Sequence, residues 1–262
     1  MTHDEQRKYL IQELLDENVP YKDVAIPDDV QQQKLLLRSL MNVRLPKPIS
    51  QEFRKVQDEY LCYERDVAGV VDAESLPVVP SSPKLVLWQG DITVLKCDAI
   101  VNAANSQMCG CFRSLHSCID NIVHTKAGIE LRLKCNDIMQ KQGHEEPTGR
   151  AKITPAYNLP SQYVLHTVGP IIETGHPSVK QKEQLASCYR SCLELAAASG
   201  CKSIAFCCIS TGVFMFPNQL AAEIAVQTVK DFLAEDTRIE RVIFNVFKDL
   251  DKGIYEELLG VN

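Results

Sequence analysis

Apolar residues recur at two periods along the chain, and the change falls near residue 84. Up to about residue 68 the spacing is helical: Tyr9, Leu10, Leu14 and Leu15 form one stripe, Val30, Leu36, Leu37, Leu40 and Met41 a second, and Ile49, Phe53, Val56, Tyr60 and Leu61 a third. In Pro27-Asp28-Asp29-Val30-Gln31, Asp28 reads as the cap of the second helix, with Gln31 three residues on. Such stripes bury against each other or against a larger domain, and no chemistry is assigned to them. Leu76-Pro77-Val78-Val79-Pro80-Ser81-Ser82-Pro83 breaks both periods and reads as a linker. Beyond it, the runs Leu85–Trp88, Ala99–Val101, Tyr163–Val168, Ile204–Cys208 and Val242–Val246 predict buried strands. Helical stretches fall between them near Ile119–Gln140, Val179–Ala198, Gln219–Ala234 and Gly253–Leu259. The alternation predicts an α/β layered domain over residues 84–262, after a helical region over 1–75 and a Pro/Ser-rich linker over 76–83. Ligands in such sheets sit in the loops at the carboxyl ends of the strands.

Composition narrows the partners. Of 262 residues, 45% are hydrophobic and 24% charged, the balance of a globular protein rather than a disordered one. The net charge of −6 and the lack of a dense Lys/Arg run argue against nonspecific DNA or RNA binding. A small anion held by backbone N–H groups stays open. The polar start Met1–Lys8 lacks the apolar core of a signal peptide, and no run is long enough to span a bilayer. Eleven cysteines, an odd number at irregular spacing, point to a reducing cytoplasm rather than a disulfide framework. Most should be small buried hydrophobes and a few should be ligands.

Three motifs follow predicted strands. Gly90-Asp91-Ile92-Thr93 ends the first; its carboxylate can accept from an exocyclic amine such as that of adenine, although Gly-Asp alone is a turn. Ala99-Ile100-Val101-Asn102-Ala103-Ala104-Asn105 runs a strand into two asparagines, whose amides suit sugar hydroxyls or loop capping. Ile209-Ser210-Thr211-Gly212-Val213-Phe214-Met215-Phe216-Pro217 offers small residues before a helix, where backbone N–H groups can hold phosphate without Lys or Arg.

In this order, together with Pro147-Thr148-Gly149 and Tyr163-Val164-Leu165-His166-Thr167-Val168-Gly169-Pro170, these motifs resemble the macrodomain family, modules that bind ADP-ribose. The resemblance covers roughly residues 84–262 and implies a three-layer α/β/α fold with a central mixed sheet. It implies that Asp91 and the Ile92 backbone meet adenine, that Ser210, Thr211, Gly212, Val213 and Phe214 wrap the diphosphate, and that Asn102 and Asn105 lie near the distal ribose. Phe247, after the last strand, is a candidate for stacking on adenine, or else a core aromatic.

Common macrodomain hydrolases carry a glycine run after the asparagines. Here the same place reads Met108-Cys109-Gly110-Cys111-Phe112-Arg113-Ser114-Leu115-His116-Ser117-Cys118-Ile119-Asp120-Asn121. Cys111, His116 and Cys118 suit a tetrahedral zinc site with one corner open, as in catalytic metals. Buried inert thiols, or a closed site with Cys109 as fourth ligand, are the alternatives. The arrangement resembles the zinc-containing macrodomains of some pathogenic bacteria and fungi, whose N-terminal helical region also matches. That likeness implies one Zn2+ per chain and a hydrolase that removes mono-ADP-ribose from proteins. It aligns Ile119-Asp120-Asn121-Ile122-Val123-His124 with the segment holding the hydrolase aspartate, so Asp120 is a candidate acid or base that positions water, Asn105 would fix the ribose, and His124 is structural. Zinc would deliver hydroxide or orient ribose hydroxyls; the residues do not choose. A sirtuin-class ADP-ribosyltransferase and a lipoyl-bearing carrier protein are the implied companions. The competing functions are an ADP-ribose reader without turnover, and an esterase or phosphatase on ADP-ribose derivatives. Met215 stands where many macrodomains have glycine, which bears on the path of the phosphate loop.

Overall fold

The computed structural model describes every residue except Thr174 and Asn262, so the last residue of the expected α/β domain lies outside the described residues. Three helices open the chain: α1 (His3–Asp16), α2 (Val30–Val43) and α3 (Gln51–Ala68). Each starts on a side-chain cap: Thr2 in a capping box with Glu5, Asp29 accepting from the Gln32 N–H, and Ser50 accepting from the Phe53 N–H. The α2 cap is thus Asp29 rather than Asp28, because Asp29 holds the extended backbone from which its carboxylate reaches the third helical N–H. The three apolar stripes meet around Leu10, Leu14, Leu37, Met41, Phe53 and Tyr60, and Ile129 of the α/β body completes that core. The Gln57 side-chain oxygen also accepts from the Ile129 N–H, so α3 is bonded to the body as well as packed on it.

The rest of the chain follows as β1 (Val71–Asp72), β2 (Leu85–Gln89), β3 (Leu95–Lys96), β4 (Ala99–Ala104), α4 (Ile119–Ala127), α5 (Ile129–Gln142), β5 (Ala151–Pro155), β6 (Tyr163–Val168), α6 (Val179–Ala198), β7 (Ser203–Phe206), α7 (Asn218–Glu235), β8 (Arg241–Val246) and α8 (Asp249–Leu259). The main sheet runs β2-β8-β7-β4-β6-β5, parallel except for β5, which is antiparallel to β6. It is the mixed sheet of a three-layer α/β/α fold. Helices cover it, so strand residues such as Ile100, Val101, Leu165, Ile204, Val242 and Ile243 are buried, which is why they read as unbroken apolar runs. The short β1 pairs with β3 in a separate parallel ladder.

Two features depart from the expected organisation. The helical stretch 119–140 is two helices, broken at Gly128 (φ 97), a left-handed conformation that side-chain-bearing residues resist. The segment 76–83 is not a loose linker: Val79 lies in the main core, Val78 bridges to Val86, and the Ser81 hydroxyl donates to the Leu259 carbonyl. With Ala73 in the same core, the chain packs against the α/β body from about Val71 onward. No helix among the described residues is long and apolar enough to cross a membrane.

Candidate active site

The carboxyl ends of β2, β4, β7 and β8 feed loops that converge on a cleft of about 760 Å3. Asp91, Ile92 and Phe247 line it. Asp91 also caps its own turn: Oδ1 accepts from the Thr93 N–H at 2.9 Å and from the Thr93 hydroxyl at 2.6 Å. Ile92 is buried, and Phe247 is 75% exposed at the mouth, so it is not a core aromatic.

Ser210 to Phe214 also line the cleft. Ser210 (φ 65) and Met215 (φ 55) both take left-handed backbone, so Met215 adopts the conformation that a glycine would supply. The loop closes on itself through the Phe216 N–H to the Ser210 carbonyl and the Met215 N–H to the Gly212 carbonyl. Among the described residues, the N–H groups of Gly212, Val213 and Phe214 have no hydrogen-bond acceptor. Three consecutive free donors in a loop just before helix α7 make an anion cradle. Gly169 allows the close approach, since a Cβ there would run into the Ser210 hydroxyl.

Asn105 and Asp120 belong to the same lining. Asn102 does not line the cleft: it is fully buried behind it, donating to Asp120 Oδ1 at 2.8 Å and lying 3.2 Å from His166 Nδ1. Asn105 donates to Asp120 Oδ2 at 3.2 Å and to the Gly110 carbonyl at 3.1 Å. The carboxylate therefore has an amide donor on each oxygen. Burial raises its pKa to about 6, against the opposing effects of the Asn102 hydrogen bond and the Arg132 charge. His124 Nε2 is 3.6 Å from Asp120, but burial holds His124 well below the usual histidine range, so it is neutral and forms no ion pair.

The loop between Asn105 and α4 brings Cys111, His116 and Cys118 together in the lining of the same cleft, with their ligand atoms all within 4.8 Å of one another and Cys111 Sγ 3.5 Å from His116 Nδ1. Tetrahedral ligands of zinc stand roughly 3.5 Å apart, so both the donor set and the spacing fit the ion. Burial, with Cys111 beside it, pushes the Cys118 thiol up to about 12, and a bound cation would favour its thiolate. Cys118 is also the residue before the first turn of α4, where helix N–H groups favour an anion. Cys109 is outside the cluster and turns its carbonyl to Arg132. A second group, His124, Cys135 and His166, is wholly buried beneath the site. His166 has both ring nitrogens engaged, by Asn102 and by Thr154, so this group reads as a polar core.

Residues 101–225 match the Macro domain family. A protein-ADP-ribose hydrolase of Treponema medium is 55% identical over 264 residues, covering 99% of this chain and 100% of the relative. A protein-ADP-ribose hydrolase of Staphylococcus aureus strain MRSA252 is 46% identical over 250 residues, 95% of this chain and 93% of that one. The chain belongs to the macrodomain family. Among solved structures, the Trypanosoma brucei macrodomain in complex with ADP-ribose superposes with a TM-score of 0.66 at 32% identity, covering 85% of this chain and 95% of that one.

This macrodomain also uses residues that the sequence reading passed over. Asn121 donates to the Cys111 and Arg113 carbonyls and so ties the loop of the candidate metal ligands to α4. The buried Arg132 of α5 holds the Cys109 carbonyl and lies over the Phe112 ring, 4.4 Å from its centroid. Asn121 stood inside a motif already singled out. Arg132 had no local signal, because its partners are distant in the chain.

Proposed function

We propose that this macrodomain hydrolyses the bond between the distal ribose of ADP-ribose and a protein side chain, releasing ADP-ribose and the unmodified protein, with one zinc bound by Cys111, His116 and Cys118. The observation that carries the reading is the lining of one cleft: it holds the free backbone donors of the 210–214 loop and, with them, the buried carboxylate of Asp120 and the Cys-His-Cys cluster. A reader needs only the first part.

In this reading the loop 210–214 takes the diphosphate, and Asp91, Ile92 and Phe247 take adenine, which sets the distal ribose beside Asn105 and Asp120. Positive charge develops at the anomeric carbon as its bond to the protein side chain breaks. Asp120, held by two amide donors, orients a water and takes its proton as the new C–O bond forms and the bond to the side-chain oxygen breaks; that proton then passes to the leaving oxygen and Asp120 returns to its carboxylate. Asn105 keeps that carboxylate turned to the cleft and bonds a ribose hydroxyl. Cys111, His116 and Cys118 would hold a zinc ion, which would supply Lewis-acid polarisation in the cleft. A transferase of the sirtuin class, acting on a lipoyl-bearing carrier in the cytoplasm, belongs to the same proposal as the source of substrate.

The test is release of ADP-ribose from a mono-ADP-ribosylated protein by the wild type and by Asp120→Asn. The variant should lose at least about 100-fold in kcat, the usual share of a positioned acid or base, while binding free ADP-ribose within a few-fold of wild type. Wild-type protein that binds ADP-ribose and releases none from such a substrate would make it a reader.

A further inference from the structure

The helical N-terminal region touches the metal-ligand loop directly, and from one helix. On α2, the Arg38 guanidinium donates to the His116 carbonyl at 2.8 Å and to Asn121 Oδ1 at 3.1 Å. One turn on, the buried Asn42 accepts from the Leu115 N–H at 3.1 Å and donates to Thr125 of α4 at 2.8 Å. Leu115 needs that grip, since it takes a left-handed φ of 54 in the residue before a metal-ligand candidate. Strained backbone persists only where its surroundings over-determine it. The contact is fixed from the other side as well. Arg132 donates to the carbonyls of Met41, Asn42 and Arg44 at the end of α2 and, through Nε, to the Cys109 carbonyl at the start of the loop. The loop is thus strung between α2 and α5, with α2 bonded to the Leu115 N–H and to the His116 carbonyl at its strained turn.

We propose that the N-terminal region is a positioning element for the metal centre, with Arg38 and Asn42 holding His116 in the geometry that binds zinc. The proposal rests on the zinc reading above. Groups that orient a metal ligand from behind are worth about 10–100-fold in metal affinity or activity. Without Arg38 the His116 backbone keeps no hydrogen bond to α2 among the described residues, and without Asn42 the strained Leu115 can relax and carry His116 away.

Full-length wild type, Arg38→Met, Arg38→Lys and Asn42→Ala are compared for zinc affinity by competition with a chromogenic chelator, and for ADP-ribose affinity by calorimetry. Lys34→Met, on the same helix but paired with Glu64 away from the loop, is the control. Arg38→Met and Asn42→Ala should bind zinc about 10-fold or more weakly, Arg38→Lys should recover part of the loss, and Lys34→Met should match wild type. ADP-ribose affinity should stay within about twofold, because adenine and diphosphate are held elsewhere. Should Arg38→Met fail to fold, Arg38→Lys and Asn42→Ala carry the comparison. Wild-type zinc affinity in the variants overturns the proposal alone. A wild type with no zinc affinity overturns the metal reading, and the proposal with it.

Discussion

Gly212→Glu separates binding from folding more cleanly than any other change in the cleft. A Cβ at Gly212 meets nothing within 4 Å and the residue is not in the left-handed region, so the substitution strains no backbone and displaces no neighbour. Folding stability should stay within about 0.5 kcal/mol, as for other open surface positions. Ligand binding should not. The new carboxylate stands beside the free N–H groups of Gly212, Val213 and Phe214, where the diphosphate must come. Two like charges about 5 Å apart repel by roughly 1 kcal/mol in water and several times that in a partly desolvated site. Together with the lost approach to the backbone donors, a penalty of about 2–4 kcal/mol follows, roughly 30- to 1,000-fold in Kd. Gly212→Gln keeps the size and drops the charge, so the Glu–Gln difference should shrink as salt rises while the steric part stays. Calorimetric titration with ADP-ribose at two salt concentrations measures both parts, and adenosine, which lacks phosphate, should bind all three proteins alike. A folded Gly212→Glu protein with wild-type ADP-ribose affinity would refute the phosphate cradle.

Two other perturbations probe the site and its support. Asp91→Ala should weaken ADP-ribose binding by one to two decades, for a lost charge-assisted hydrogen bond of about 1.5–3 kcal/mol. Because Asp91 also caps Thr93, it should cost about 0.5–2 kcal/mol of stability, and unchanged affinity in a folded variant would remove it from the adenine site. Acid should destabilise the fold through the buried histidines. Burial pushes His166 down to about 3 and holds His124 well below its usual value, so below about pH 6.5 the unfolded chain takes up protons that the folded chain refuses. The loss begins as pH falls through 6.5 and reaches about 0.8 kcal/mol per histidine by pH 6. Asp120, raised to about 6, gives part of this back at lower pH. Thermal melts between pH 7.5 and 6 read the effect, and a flat profile would mean that these histidines charge inside the folded protein.

What could be read from the sequence was what depends on near neighbours. Strands covered on both sides are unbroken apolar runs, so β4, β6, β7 and β8 were visible, whereas β5 is half-exposed and ends in proline, and was not. The candidate metal ligands all fall within one eight-residue loop, so their proximity needed no knowledge of the fold. Asn102 shows the limit. It and Asn105 look equivalent in sequence, but β4 lies beside β6 in the register Asn102 to His166, which turns Asn102 into the core as a partner for Asp120 and leaves Asn105 to the cleft. Strand pairing is a long-range fact that one sequence does not contain. The same holds for Arg38, Asn42 and Arg132, which bond partners 78, 73 and 90 residues away.

The central claim is a single zinc in an open three-ligand site that turnover needs. Its most direct measurement is metal content by elemental analysis, alongside ADP-ribose release from a mono-ADP-ribosylated protein, for wild type, Cys111→Ser, His116→Ala, Cys118→Ser and Cys109→Ser. Wild type and Cys109→Ser should carry close to one zinc per chain and turn over alike, since Cys109 stands outside the cluster. Each of the other three should lose zinc and activity together while still binding ADP-ribose. A metal-free preparation that hydrolyses the substrate at the wild-type rate would contradict the account, and would leave Asp120 to carry the reaction without a metal.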